Sequence, residues 1–252
     1  MAFTLRRQAA QRSGADSMTL LEHLSELRRR LIISVVAYVV GVGFCYLIYD
    51  WILRFLERPY HSACAGAHLS CKLTELAPLQ GFTTRLNVAG YGGLIIASPI
   101  ILYQLWQFVT PGLKANEKRY AFPFVGATIV LFFLGGLAAY AITGRGLKWL
   151  LQQGGPGLTS AVSIQSYIDL ICILILIFGA AFEFPVLLVA LELAGAVSSA
   201  ALKRVRRFAF LGIVIFSAVV TPSSDPFSMM ALAIPLSVFY EASIIVGKLL
   251  GK

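Results

Sequence analysis

Charge is scarce in this sequence. Of 252 residues 13% are Asp, Glu, Lys or Arg, against about 25% in an ordinary globular domain, and 12 are acidic. A water-soluble enzyme of this size is thereby excluded. Histidine occurs three times, and there is no His-Glu-x-x-His or Gly-x-Ser-x-Gly run, so an intramembrane hydrolase finds no support. No metal or cofactor is expected. Internal repeats are not evident, which removes the usual sign of a secondary transporter built from paired inverted halves. The first 18 residues lack the apolar core of about 7–15 residues that a cleavable signal peptide needs. They read as a flexible tail, with Arg6 and Arg7 able to touch lipid headgroups.

What is present is apolar. Hydrophobic residues make up 58% of the chain and the mean hydropathy is +0.79. The runs Leu31 to Tyr49, Leu86 to Leu113 and, after Arg119, Tyr120 to Gly144 are long and apolar, each reaching the roughly 18 residues of a membrane-spanning helix. Leu170 to Leu191 is interrupted by Glu183, Phe208 to Val220 is a fifth block, and Pro226 to Gly247 contains Glu241. The expected architecture is an all-α polytopic membrane protein, with residues 19–252 forming six transmembrane helices. The fifth block measures about 20 Å at roughly 1.5 Å per residue, short of a hydrocarbon core near 30 Å. Local thinning of the bilayer is the favoured accommodation.

Orientation follows from basic residues. With six spans the chain ends share one side with Lys114 to Arg119 and Lys203 to Arg207, and that side holds 15 of the 21 Lys and Arg. The positive-inside rule places both termini in the cytoplasm. The net charge of +9 then reflects topology and contact with anionic lipid. Nucleic acid is not expected as a partner, because the basic residues are scattered through short loops.

The loop from Arg54 to Thr84 is expected to fold over the outer helix ends. It carries His61, Cys64, His68 and Cys71, a spacing that invites a zinc reading. On the outer side a disulfide or two unpaired thiols is the simpler expectation. Cys45 and Cys172 lie inside spans as small apolar residues. Gly154-Gly155-Pro156-Gly157 breaks helix in a second outer loop, and Thr221 to Pro226 makes a third.

Carboxylates are the informative residues, since a charge in a span is costly and normally faces protein or a water-filled cavity. Glu183 leads, with Pro185 two residues on, where a kink could open a polar pocket. Glu192 and Glu241 can both approach an interface, and Asp169 and Asp225 belong to the outer headgroup region. Glu26 opens Glu26-Leu27-Arg28-Arg29-Arg30 on a helix whose Leu20, Leu24, Leu27 and Leu31 are spaced to bury one face. Its position four residues before Arg30 is sufficiently explained by an i,i+4 ion pair. Glu117 has Lys118 and Arg119 beside it.

Several motifs alter that reading. His23-Leu24-Ser25-Glu26-Leu27-Arg28-Arg29-Arg30-Leu31 closely resembles the amino-terminal motif of TatC, the multi-spanning component of the twin-arginine protein translocase. Ser98 to Phe108, Pro111-Gly112-Leu113 with Glu117-Lys118-Arg119, Phe178 to Pro185, and Thr221-Pro222 with Asp225 agree with the same family in the same order. The resemblance covers about residues 20 to 245. It implies a cup-shaped receptor, without bond-breaking chemistry, in the cytoplasmic (inner) membrane.

On that resemblance, Glu26 and Glu117 form the site for the paired arginines of signal peptides on folded cargo proteins, with Phe108 and Arg28 nearby. Glu183 faces a concave intramembrane surface, where it meets single-span TatA/TatB-type subunits. The proton-motive force drives assembly, and a homo-oligomer within a larger complex is implied. Paired guanidinium forks suit carboxylates, and such charge-assisted bonds exceed neutral ones in strength. The alternative reading is a proton-coupled secondary transporter in which Glu183 carries protons. The His and Cys residues of the outer loop and the tail before Met18 depart from the family pattern.

Overall fold

The structure is a computed structural model that describes residues 20–67, 73–109, 121–153, 162–221 and 226–249. Glu117, His68, Cys71, Asp225 and the tail 1–18 lie outside the described residues. Helix α1 spans Leu20–Leu47, α2 Tyr49–Gly66, α3 Gln80–Val109, α4 Ala121–Gln153, α5 Ile164–Phe182, α6 Phe184–Leu193, α7 Ser199–Val220 and α8 Pro226–Leu249. The described strands are two residues each, β1 (Leu73–Thr74) and β2 (Val162–Ser163), paired in parallel. This pair ties the loop before α3 to the start of α5. Gln80 reinforces it, donating from Nε2 to Ser163 Oγ while its Oε1 accepts from the Leu76 amide.

Among the described residues, α1, α3, α4, the α5–α6 unit and α8 are each long and apolar enough to cross a bilayer. Their outward faces confirm the solvent. Leu47 is 80% exposed, Val40 67% and Val219 of α7 78%; water would penalise such contiguous surface, whereas lipid tails do not. The chain is a multi-pass membrane protein. Helix α7 carries Lys203, Arg204, Arg206 and Arg207 in its first half, leaving the short apolar block Phe208 to Val220.

With no hydrophobic drive between helices in lipid, close backbone approach does the packing. Helix α1 lies along α3, and a Cβ at Gly93 would sit 2.6 Å from the Val42 amide nitrogen. The α4–α5 contact is as close, with Gly135 against the Phe178 carbonyl. One core cluster joins α4, α5, α7 and α8 around Phe178, Leu232 and Tyr240. A second, toward the α2 end, gathers Leu56, Tyr60, Val88, Tyr167 and Ile171.

Most of the stretch read as the first half of an outer loop is helix. In α2 one face, with Leu56, Tyr60, Ala63 and Cys64, is buried, and the other exposes Trp51, Arg54 and Arg58. It folds over the helix ends: Tyr167 donates to the Leu56 carbonyl at 2.5 Å and Arg85 of α3 lies over Tyr46 and Tyr49. Cys64 is disulfide-bonded, which takes its sulfur out of any zinc set. Cys45 and Cys172 are buried free thiols, as expected.

Candidate functional site

Leu24, Leu27 and Leu31 of α1 do not bury one face. Leu24, Leu27 and Leu31 are 58, 41 and 60% exposed, and the stripe turned toward α3 is the polar one. His23, Glu26 and Arg30, at spacings of three and four residues, share a helix face. In a lipid solvent the apolar side can be outermost while charged groups seek protein partners.

Those partners come from the last turns of α3. Arg30 donates from Nε at 3.1 Å, and also from Nη2, to Oε1 of Glu26. Its Nη1 donates to Oε1 of Gln104 at 3.3 Å and to Oε1 of Gln107. Gln107 in turn donates from Nε2 to the Tyr103 hydroxyl. The Arg30 and Glu26 side chains are 17% and 21% exposed. Oε2 of Glu26 is buried and accepts no hydrogen bond among the described residues. Alongside, His23 stacks on Phe108 with ring centroids 4.4 Å apart.

The structure thus brings Glu26 and Phe108 to one place. Arg28 is not part of that cluster: two residues beyond Glu26, it turns to another face of α1 and is exposed beside Ser25 and Ile32. Arg30, Gln104, Gln107 and His23 had no site role in the sequence reading. The signal that could have found the glutamines is their spacing, two neutral amides about one turn apart in the mostly apolar last part of α3.

Glu183 is the second candidate. Pro185 lacks an amide proton, so α5 ends at Phe182 and α6 restarts with the proline in its first turn, where it is tolerated. Leu187 N–H to Glu183 O, 3.1 Å, resumes the ladder. The cavity that the described residues form beside the break is apolar, not polar. Glu183 is 9% exposed and accepts a hydrogen bond from the Thr128 hydroxyl of α4, which itself accepts from Trp106 Nε1 of α3 at 2.7 Å. A cavity of about 300 Å³ beside Pro185 is lined by apolar side chains including Phe124, Ala127 and Val246. Oε1 of Glu183 is buried and has no partner among the described residues.

Glu192, Glu241 and Asp169 have structural partners, although Oε2 of Glu192 and Oε1 of Glu241 are also buried without a hydrogen-bond partner among the described residues. Glu192 is fully buried among the helices and accepts from Ser199 Oγ at 2.6 Å. Glu241 pairs with Arg206 across α7 and α8 at 2.5 Å. Asp169 accepts from Asn87 at 2.8 Å, linking α5 to α3.

Known proteins are similar to this chain in sequence and fold. The family model described as Sec-independent protein translocase protein (TatC) matches residues 22–235. A Sec-independent protein translocase protein TatC of Frankia casuarinae is 40% identical, over 94% of this chain and 67% of its own length. One from Koribacter versatilis is 36% identical over 94% of this chain and 88% of its own. A crystal structure of the twin-arginine translocase receptor TatC superposes with a TM-score of 0.76 at 35% identity, covering 92% of this chain and all of that one. With motif order, sequence and three-dimensional arrangement in agreement over nearly its whole length, the chain belongs to the TatC family of protein translocase components.

Proposed function

We propose that this chain is the receptor of a twin-arginine translocase in the cytoplasmic membrane, binding the signal peptides of folded cargo proteins. It crosses six times with both termini in the cytoplasm and forms a cup. Helix α7 is the fifth span in chain order, its 22 residues giving about 33 Å when the basic half reaches the headgroups. The clustering of 15 of 21 basic residues on one side supports the orientation.

The observation that carries the reading is the placing of Glu26 with an open oxygen on the helix face that meets Gln104, Gln107 and Phe108 at the end of α3. Arg30 saturates one carboxylate oxygen, and the other is buried without a donor among the described residues. A buried acceptor left unpaired is costly, and an incoming guanidinium relieves that cost. Phe108, stacked on His23, supplies an apolar wall, Glu117 the second carboxylate, and Arg28 borders the site on the neighbouring face. Glu183 repeats the arrangement within the membrane: one oxygen held by Thr128, one vacant for a polar group on the helix of a single-span TatA/TatB-type subunit. The proton-motive force drives assembly of the resulting complex, in which this chain is present in several copies.

Photo-crosslinking of a twin-arginine peptide to positions beside Phe108 and Glu117 tests the site. Charge-removing Glu26→Gln and Glu117→Gln are expected to abolish the crosslink and export of a twin-arginine reporter while the protein stays in the membrane. Export at wild-type level overturns the assignment. Glu183→Ala is expected to keep peptide binding and lose partner crosslinking; loss of both makes Glu183 a structural residue.

A further inference from the structure

A groove of about 430 Å³ opens between α2, α3, α4 and α5, within the roughly 300–1,000 Å³ of small-molecule sites. Its walls include Val88 and Ile96 of α3 and Phe133, Leu137 and Tyr140 of α4. Helix α3 enters from the α2 end and α4 returns toward it, so Val88 and Tyr140 mark the mouth and Ile96 and Phe133 the floor. The eight-residue step from Val88 to Ile96 is about 12 Å of helix. One leaflet of a hydrocarbon core is about 15 Å deep, half of roughly 30 Å. A partner's transmembrane helix would need a track through both leaflets, whereas an acyl chain from one leaflet fits this depth.

The mouth is built for a headgroup. Phe55 of α2 stacks on Tyr140 at 4.5 Å, and the Tyr140 hydroxyl donates to the Phe55 carbonyl at 2.8 Å, closing α2 onto α4. Trp51 continues the stack at 6.2 Å, as aromatic residues do at membrane interfaces. Arg58, one turn beyond Phe55, holds its guanidinium 5.9 Å from that ring's centroid. It is exposed and makes no ion pair among the described residues, where the pairs are Arg30–Glu26 and Arg206–Glu241. An unpaired guanidinium at the rim of an apolar, leaflet-deep slot complements a phosphate attached to an acyl chain.

We propose that this groove holds one acyl chain of an anionic glycerophospholipid from the leaflet on the α2 side, with the lipid phosphate on Arg58. None of the residues involved belongs to the signal or partner sites, so the assignment stands apart from the receptor reading.

Native mass spectrometry of the purified full chain in detergent tests it, with phosphatidylglycerol and phosphatidylcholine of identical acyl chains offered at equal concentration. The wild type is expected to retain one phosphatidylglycerol in preference to phosphatidylcholine. Arg58→Gln is expected to lower that preference about fivefold, the worth of one basic side chain at an anionic surface, and Arg58→Lys to keep most of it. Leu137→Trp and Ile96→Trp, at exposed groove positions, are expected to reduce retention of both lipids.

Equal retention of the two lipids by the wild type, or an unchanged preference in Arg58→Gln, overturns the proposal. Retention undiminished in both tryptophan variants places the chain elsewhere and does the same. A photo-crosslinker at Leu137 that labels a protein rather than lipid in native membranes assigns the groove to a partner and likewise overturns it. Twin-arginine peptide binding by Arg58→Gln is expected at wild-type level, so failure here leaves the signal site untouched.

Discussion

Replacing Arg30 with Gln separates two accounts of the Glu26 site. If the Arg30–Glu26 contact were an ordinary surface i,i+4 pair, it would be worth about 0.3–0.5 kcal/mol, and its loss would alter peptide binding by about twofold at most. The geometry argues for more. Both side chains are about four-fifths buried, two guanidinium nitrogens converge on one carboxylate oxygen, and the third nitrogen is held by two glutamines of another helix. Hydrogen bonds to charged groups are worth about 1.5–3 kcal/mol. If Arg30 positions Glu26 for the signal, its removal should therefore weaken binding roughly 10- to 100-fold. Arg30→Lys keeps the charge without the fork and should fall between. Fluorescence anisotropy of a labelled twin-arginine peptide with protein in nanodiscs measures the loss, with the unfolding midpoint as a control for fold. Binding within twofold of wild type refutes the positioning role, and tighter binding would make Arg30 a competitor for Glu26.

Thr128→Val removes the hydroxyl that accepts from Trp106 and donates to Glu183; denaturant unfolding in detergent is expected to show a loss of about 1–3 kcal/mol, restored by Thr128→Ser. Gly247→Ala sets a methyl group onto the carboxylate of Glu192, which Ser199 and complete burial hold in place. The expected cost is about 1–3 kcal/mol, and Glu192→Ala added to Gly247→Ala should recover part of it. No recovery in that double variant refutes the clash.

The helices that cross the membrane without charge were legible because burial in lipid demands an unbroken apolar run. The α5–α6 break was legible for a similarly local reason, the missing amide of Pro185. Helix α2 was not. Arg54, Glu57, Arg58 and Pro59 interrupt its hydropathy, and its buried face is defined by contacts with α4 and α5 that no local pattern contains. The exposure of Leu24, Leu27 and Leu31 was not legible because helical periodicity reports which residues share a face without saying whether protein or lipid covers it. Gln104, Gln107 and Thr128 were not legible because an uncharged polar residue in a span carries little cost by itself; its meaning comes from the ionisable group it meets on another helix. Counting residues to the helix end puts Glu192 near an interface but cannot show that Ser199 and Gly247 seal it.

The end of α3 gives the two carboxylates a common support. Gln104, Gln107 and Phe108 face the Glu26 site, while Trp106, between them in sequence, points to the opposite side and donates to Thr128, the residue that holds Glu183. Less than two turns of helix therefore contact both networks, and Trp106 is 3% exposed, packed with Val186 and Ala190 of α6. A packed segment of this kind responds by shifting as a unit, because interiors have little free volume to absorb local strain. Variants more than about 7–10 Å apart without shared partners usually combine additively within about 0.3–0.5 kcal/mol. Arg30 on α1 and Thr128 on α4 both bond to the end of α3, so the combined effect of Arg30→Gln and Thr128→Val on unfolding is expected to depart from the sum by more than that margin. The measurement is a double-mutant cycle with Trp106→Phe as the third vertex, since phenylalanine keeps the packing and removes the donor. Additivity in the wild-type background means that the α3 end carries no energetic link; coupling that vanishes with Trp106→Phe identifies the indole hydrogen bond as the link.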